Sequence, residues 1–461
     1  MRWPEAPPRR HTARRRLAML TILGPMALSM LGTAETFNQG AAAAPTADEG
    51  AVRVADIAPI DGEGRRLIRL SPDGRWLAAL EPGDGGELCL LPVGEGLGAV
   101  VIRRCVSLAT LDAGLDEESL AWSPDSTRLV FAEKAFRAQR DGDLWLLTVD
   151  GEEPRNLTDD GFAGPWPISQ LDQDATLAAV HVDVAPTWPP AGREIAFSRS
   201  TLVNGEFAGN DLMRLPVDLA GDGGSGAPSA EAEVVTRVSR QLPGVVFVGL
   251  VWTTGTAGDL LVYAIASPDD DDPTNGLWSV SVEGGEPRRL RRPEPEVGPL
   301  LPMLAPAGGD RALVVAPTSF LIGPLTASPF SLVDLATARV TPIEPTRATA
   351  PDVAGADPLA TVVTAATLSP DGRHLLYAVR EGVASGRTRL IARDLDSGKA
   401  SVLAEDLAAV TLGYGRGLDW ANDGTVFVAS SHTEGTILHL VGGGTATPAA
   451  SPVAPPPTPG G

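Results

Sequence analysis

The residues best suited to catalysis are few. A serine hydrolase needs a nucleophile elbow, Gly-x-Ser-x-Gly, at a sharp strand-to-helix turn. The nearest string is Gly223-Gly224-Ser225-Gly226-Ala227, which lies in a Gly/Ser/Ala-rich segment without a following helical pattern and is better interpreted as a flexible linker. Since no nucleophile and base occur at a recognisable spacing, we predict no catalytic residue and a protein that is not an enzyme.

Metal and nucleotide chemistry have little support. After residue 34 the histidines include no pair at i, i+4 and no HExxH motif; they are His181, His374, His432 and His439. The run Asp269–Asp272 lacks the spacing and closing Glu of an EF-hand and favours a solvated loop. No Gly-rich phosphate loop follows a strand. We predict no metal and no cofactor; an ion held by carboxylates that only the fold brings together stays open as the alternative.

The two cysteines, Cys89 and Cys105, are separated by 16 residues, which fits neither a CxxC redox motif nor a paired zinc knuckle. If the chain reaches an oxidising compartment, a disulfide is the leading interpretation, and two buried free thiols are the alternative. The cysteines fall in predicted strands 87–91 and 100–106, where they lie roughly opposite each other, near the separation that a bridge requires.

The first 34 residues are typical of a targeting segment. Five arginines between positions 9 and 16 precede the apolar run Leu17–Leu31, and small residues follow at 32–34. The run is shorter than the ~20 apolar residues of a membrane-spanning helix, which favours cleavage over anchoring. We predict a signal peptide at 1–34, a linker at 35–50, and export to the periplasm, the cell surface or the extracellular space.

The charge of the chain restricts its partners. The formal net charge is −21, and removal of residues 1–34 takes away six Arg and one Glu, leaving 31 basic and 57 acidic side chains, or −26. Such a surface repels phosphate, so nucleic acid and anionic membrane surfaces are poor partners. Acidity that only keeps the protein soluble is the simpler interpretation.

A four-residue turn recurs along the chain. Ser71-Pro72-Asp73-Gly74 has close copies at 123–126 and 369–372, and weaker copies occur at 188–192, 252–258, 305–309 and 420–424. Pro and Asp suit the central positions of such a turn, and Gly adopts the left-handed conformation that returns the chain. Apolar runs of strand length flank each copy, so each repeat begins with a β-hairpin.

Each repeat continues with a third strand and often a fourth, as at 144–149 and 154–158. Several strands are apolar on consecutive positions, which indicates that both faces of the sheet are covered. Small stacked sheets of this kind leave no exposed end only when they close into a ring. We predict an all-β, seven-bladed β-propeller of four-stranded antiparallel blades at 51–441, with six blades if the fifth repeat is not a blade.

The two ends of this region predict how the ring closes. The last repeat lacks a fourth strand, because residues 442–461 form a disordered Pro/Gly/Ala/Thr-rich tail. The segment 51–58 alternates apolar residues and has no partner of its own. We predict that this N-terminal segment supplies the missing strand and removes the open edge.

Three strings carry a resemblance to a known family: Leu120-Ala121-Trp122-Ser123-Pro124-Asp125, Asp143-Leu144-Trp145-Leu146 and Arg155-Asn156-Leu157-Thr158. Together with the Ser-Pro-Asp-Gly turns they resemble the WD-like repeats of the TolB-type propeller family over about residues 51–441. The resemblance implies a propeller and, as one possible role, envelope assembly, although the separate N-terminal domain of that family is missing. The family also lends its propeller to prolyl-oligopeptidase-like enzymes, whose chemistry lies in a separate hydrolase domain; no residues remain here for one.

The favoured function is a monomeric binding module for an unknown protein, peptide or glycan. Alternatives are a channel-sited enzyme of the lactonase or cyclase type and a TolB-like envelope-assembly factor. Binding is expected on the face opposite the Ser-Pro-Asp-Gly turns, where the longest insertions fall. Large aromatic residues on loops of that face are the predicted partner-binding residues; they are Phe136, Phe162, Trp166 and Phe207. Packing of these side chains under their own loops is the alternative.

Overall fold

A computed structural model describes the residues in the ranges 53–56, 66–81, 86–92, 104–108, 115–133, 141–151, 153–161, 179–203, 206–217, 232–239, 246–256, 258–266, 273–292, 301–303, 310–315, 330–343, 361–370, 372–381, 388–407, 418–422, 426–432 and 435–442. The predicted signal peptide, the linker and the tail after residue 442 lie outside the described residues. In the part of the chain that is described, no helix has the length and apolarity needed to cross a membrane.

The named elements of the described residues are all β-strands. The strands of the first half are β1 (Arg53–Asp56), β2 (Arg66–Leu70), β3 (Trp76–Glu81), β4 (Glu87–Pro92), β5 (Arg104–Ser107), β6 (Leu115–Trp122), β7 (Arg128–Glu133), β8 (Leu144–Thr148), β9 (Arg155–Asn156), β10 (Val180–Thr187), β11 (Glu194–Val203), β12 (Glu206–Pro216), β13 (Glu233–Ser239) and β14 (Val246–Gly255). The strands of the second half are β15 (Gly258–Ala266), β16 (Gly276–Ser281), β17 (Arg288–Arg291), β18 (Leu301–Met303), β19 (Arg311–Val315), β20 (Phe330–Asp334), β21 (Val340–Ile343), β22 (Thr361–Leu368), β23 (His374–Glu381), β24 (Thr388–Asp394), β25 (Ala400–Leu407), β26 (Leu418–Trp420), β27 (Val426–His432) and β28 (Gly435–Gly442).

Six sheets are blades of four strands that follow one another in the chain and pair antiparallel with their neighbours. Blades 1 to 6 are β2–β5, β6–β9, β10–β13, β14–β17, β18–β21 and β22–β25. The four-stranded antiparallel repeat that the sequence predicts is therefore confirmed, and the molecule has a β-propeller arrangement.

A further four-stranded sheet, which we call the terminal sheet, joins the two ends of the described chain. Its order is β1-β28-β27-β26. The pairing of β1 with β28 is antiparallel and runs from Arg53 opposite Gly442 to Asp56 opposite His439. A segment from the start of the chain thus lies beside the last strand, at the edge of the sheet.

The Ser-Pro-Asp-Gly turn has the hydrogen bonds that its sequence predicts. The amide of Gly74 donates to the carbonyl oxygen of Ser71 (2.9 Å), and the Ser71 hydroxyl donates to Asp73 Oδ1 (2.6 Å). Gly74 has φ of 74°, the left-handed region that glycine tolerates best. The same turn at 123–126 places Ser126 at φ of 61° instead. These turns join the first two strands of their blades.

The core lies between blades, because a single sheet of four short strands cannot cover its own faces. Strand β7 is buried on five consecutive positions, Arg128 to Ala132. Each of six apolar clusters combines residues of two neighbouring sheets, from blades 1 and 2 through to blade 6 and the terminal sheet. Stacking of neighbouring sheets therefore supplies the apolar burial that stabilises each one.

Polar contacts also cross from sheet to sheet. The indole Nε1 of Trp122 donates to the carbonyl oxygen of Arg69 (3.2 Å), and Trp188 donates in the same way to Ala121 (3.1 Å). Between the terminal sheet and blade 1, the half-buried Asp419 accepts from the Leu70 amide (2.9 Å). Arg69 Nη1 also donates to Asp419 Oδ1 (3.3 Å). The terminal sheet consequently contacts blade 1 as well as blade 6.

Candidate functional site between blades 2 and 3

The structure describes one of the four aromatic residues that were predicted to bind a partner. Phe136, Phe162 and Trp166 lie outside the described residues. Phe207 was expected on a loop, and that expectation is wrong: it lies in β12, directly opposite Leu202 of β11, and is half-buried. The hairpin is longer than its Gly and Asn residues indicate, because a register shift between Thr201 and Leu202 lets pairing continue.

The two cysteines lie directly opposite each other on β4 and β5. They form a disulfide with a Cα–Cα distance of 4.0 Å, and Cys89 is fully buried. Glu87 lies nearby, and these three residues form the one group of potential metal ligands found among the described residues. Both sulfur atoms of that group are used by the disulfide, so the bridge cross-links the outer hairpin of blade 1.

A second cluster of ionisable residues lies where blades 2 and 3 meet, and the sequence analysis did not identify it. We call it the acidic junction and define it as Asp141, Asp143, Asp160, His181, Asp183 and Arg199. Two residues precede β8, one follows β9, two lie on β10 and one lies on β11. All lie near the strand ends that are farthest from the Ser-Pro-Asp-Gly turns, on the opposite face of the propeller.

Backbone hydrogen bonds fasten the two blades together at this junction. Gly142 forms an isolated parallel bridge with Val182. Its amide donates to the His181 carbonyl oxygen (3.2 Å), and its carbonyl oxygen accepts from the Asp183 amide (2.9 Å). Asp141 Oδ1 accepts from the His181 amide (3.2 Å). Residues 141 and 142 therefore lie against β10 of the next blade like a short extra strand.

An ion pair lies on the blade 3 side of the junction. Arg199 Nε donates to Asp183 Oδ1 (2.8 Å) and Arg199 Nη2 to Asp183 Oδ2 (2.7 Å). Asp183 is fully buried, and the two residues are directly opposite each other on β10 and β11. Burial raises the pKa of Asp183 while Arg199 opposes that rise. The two-pronged contact is the geometry that best stabilises a buried carboxylate.

Blade 2 supplies side chains that hold Asp143. Asn156 Nδ2 donates to Asp143 Oδ2 (2.7 Å), and the Thr158 hydroxyl donates to Asp143 Oδ1 (3.2 Å). The Thr158 hydroxyl also accepts from the Leu144 amide (2.9 Å). The sequence Arg155-Asn156-Leu157-Thr158, noted above as a repeat feature, thus orients a carboxylate at the junction.

Burial and neighbouring charges shift the pKa values of several groups in the junction. Burial raises the pKa of Asp141 to about 8, and repulsion from Asp160 and Asp143 adds to that effect. Burial also raises the pKa of Asp143 to about 6, although the Asn156 hydrogen bond opposes it. Burial and the nearby Arg199 lower the pKa of His181. At neutral pH Asp141 therefore carries a proton, and His181 is uncharged.

One sequence signal could have located the junction. In Val180-His181-Val182-Asp183-Val184 the apolar residues alternate with two ionisable ones. Period-two alternation on an inner strand places both polar side chains on one face, and Asp141 and Asp143 follow the same spacing. Nothing local in the sequence indicates that these two segments meet, because they are 40 residues apart and belong to different repeats.

No family model matches the chain, and no curated protein sequence matches it. Among solved structures, a prolyl endopeptidase is 15% identical over 83% of this chain and 47% of that chain, with a TM-score of 0.50. An oligogalacturonate lyase in complex with manganese is 12% identical over 84% of this chain and 99% of that one, with a TM-score of 0.43. TolB from Acinetobacter baumannii is 11% identical over 79% of each chain, with a TM-score of 0.36.

At these identities a structural likeness concerns the fold alone. The six described blades by themselves make the chain an all-β protein of the β-propeller class. The acidic junction and the disulfide are described from this chain's own residues.

Proposed function

We propose that this protein is an exported, non-catalytic propeller that binds a protein, peptide or glycan partner on the face opposite its Ser-Pro-Asp-Gly turns. The observation that carries the proposal is the acidic junction. The junction holds in place the described residues that flank two chain segments. Segment 134–140 is followed by Asp141, and segment 162–178 follows Gly161. These segments contain Phe136, Phe162 and Trp166. Binding residues are typically carried on loops that a rigid scaffold positions.

We also infer that the terminal sheet is the seventh blade and that β1 closes the ring. Contacts on both sides of the terminal sheet support this inference. The terminal sheet shares an apolar cluster with blade 6 through Leu418 and Val426. On its other side Asp419 binds Leu70 of blade 1, and the Asn422 amide donates to the Pro72 carbonyl oxygen (2.7 Å). Closure would give the binding face a rigid base, since each sheet would then pack between two neighbouring sheets.

Site-specific photo-crosslinking tests the position of the binding face. A photoreactive amino acid is placed at Phe162 in one variant and at Arg75 in another. Arg75 lies next to a Ser-Pro-Asp-Gly turn, and its side chain is 80% exposed, which makes it the matched control on the opposite face. After irradiation in the extracytoplasmic fraction, we expect a defined crosslinked species at position 162 and none at position 75. Crosslinks confined to position 75 would place the site on the turn face.

A channel-sited enzyme is the second candidate, because one place in the molecule holds two carboxyl groups with raised pKa values, Asp141 and Asp143. Such groups occur at acid–base sites as well as in structural networks. Hydrolysis of lactones by the purified protein, lost in a folded Asp143→Asn variant, would favour this candidate over the binding module. The envelope-assembly role that the TolB-type resemblance implies is a binding function and is tested by the crosslinking experiment.

A further inference from the structure

The acidic junction joins two blades through groups whose charge depends on pH. Asp141 is 6% exposed, and this burial favours its protonated form. Its carboxyl oxygen accepts the amide hydrogen of His181 on the neighbouring blade (3.2 Å), a weaker effect that favours the ionised form. The next residue, Gly142, makes both backbone hydrogen bonds of the bridge to β10. We propose that this junction is a proton-dependent latch between blades 2 and 3, which is closed while Asp141 carries a proton and loosens when Asp141 ionises.

The charged groups around Asp141 come from blade 2 and from β10 and β11 of blade 3. Asp143 lies two residues along its own segment, and Asp160 follows β9 of the same blade. On β10 of blade 3 lie His181 and Asp183, and on β11 lies Arg199. Arg199 already donates to Asp183 from both Nε and Nη2 of its guanidinium group. An ionised Asp141 would consequently lie among three other carboxylates, with the nearby arginine engaged elsewhere.

The direction of the pH effect follows from proton linkage. In the open latch Asp141 has its ordinary pKa of 3.8, and in the closed latch the pKa is about 8. The closed form therefore holds a proton that the open form releases, so closure is most stable at low pH and weakens as the pH rises toward about 8. Above about pH 6.5 Asp143 is mostly ionised in both forms. His181 has its ordinary pKa of 6.5 in the open form, so its loss of a proton opposes this weakening of closure by at most about twofold. Asp183 stays paired with Arg199, and Asp141 dominates that window.

This latch concerns the scaffold and does not depend on which partner binds. Residues 140 and 162 mark the ends of the two segments that depart from the junction. Loosening of the Gly142–Val182 bridge would therefore change the described positions at which blade 2 meets blade 3. A coupling of this latch to partner binding would rest on the exported binding function proposed above.

Hydrogen exchange measured by mass spectrometry tests the latch directly. Peptides that contain the amides of Gly142 and Asp183 are followed in the full-length protein at about pH 6.5 and about pH 8, with correction for the intrinsic exchange rate. We expect the opening constant of both peptides to rise on the order of tenfold across this window, as one group with these two pKa values requires. A peptide from β23, which contains the buried Leu376 and Tyr377, should stay constant.

The matched variants are Asp141→Asn, which keeps the shape of the protonated side chain, and Asp150→Asn, which changes an exposed turn residue of the same blade. In Asp141→Asn both peptides should stay protected at about pH 8, whereas Asp150→Asn should behave like the wild type. An unchanged pH response in Asp141→Asn, or a wild-type opening constant that does not change with pH, would overturn the proposal. If Asp141→Asn fails to fold, the comparison of the wild-type junction with β23 decides alone.

Discussion

At the scale of single residues, the ion pair of Asp183 and Arg199 is the most informative contact of the acidic junction. Asp183 has no exposed surface, and the Arg199 side chain is 16% exposed. Removing a carboxylate and an arginine from water costs several kcal/mol for each ion, and a pair offsets this cost only with good geometry. The two short hydrogen bonds described above supply that geometry. Arg199 is therefore held in position by Asp183, and without this partner it keeps only the attraction of Asp143 and Asp160.

Changing Asp183→Asn should lower the free energy of unfolding by about 3–5 kcal/mol, because one partner of a buried pair is lost while the other stays. Urea denaturation at neutral pH measures the change. The control is Arg75→Ala, which removes an exposed pair with Asp73 at 3.9 Å and should cost less than about 1 kcal/mol. Equal effects of the two variants would mean that the Asp183 pair contributes no more than a surface contact.

The sequence predicted that the two cysteines lie opposite each other, but it did not predict that the residues of the acidic junction meet. Cys89 and Cys105 belong to consecutive strands of one repeat, so turn positions and strand alternation suffice to place them opposite each other. Asp141 and His181 belong to different repeats, and their meeting depends on how blades 2 and 3 stack. Burial and charge at such an interface come from tertiary packing, which local pattern does not specify.

At the scale of secondary-structure elements, the repeated turns explain why the blades were predictable. The hairpin of β2 and β3 lies where the Ser-Pro-Asp-Gly turn places it, and β4 begins at Glu87 as the pattern predicts. The prediction failed at the hairpin of β11 and β12, where Gly205 and Gly209 suggest a loop around Phe207. Glycine only permits a turn; the pairing of Thr201 with Gly209 shows that the strand continues.

The short strand β1 provides a test at this scale. Deleting residues 51–60 removes β1 and exposes the outer edge of β28, whereas deleting residues 443–461 removes no described strand. We expect the first truncation to lower the melting temperature by at least about 5 °C, because ladder hydrogen bonds are lost and an edge is opened. The second truncation is the control and should leave it nearly unchanged. Equal melting temperatures would mean that β1 does not complete the terminal sheet.

At the scale of the whole molecule, stacking of small sheets produces two different faces. One face carries the short turns such as Ser71-Pro72-Asp73-Gly74, which are held by their own hydrogen bonds. The other carries the acidic junction and the ends of segments 134–140 and 162–178. The large negative charge of the chain, −21, favours partners with basic groups and adds long-range attraction to whatever short-range contacts the segments make. Function is therefore expected to depend on the second face.

The most direct test of this account is the affinity of the partner captured by crosslinking, titrated by calorimetry against three proteins: the wild type, a Phe162→Ala/Trp166→Ala double variant, and Arg75→Ala. Large aromatic side chains dominate interface energetics, so the double variant should lose at least about 1 kcal/mol of binding free energy. Arg75→Ala should bind as the wild type does, and all three should melt at the same temperature. Unchanged affinity in the double variant together with weakened binding in Arg75→Ala would contradict the account, because the partner would then contact the turn face.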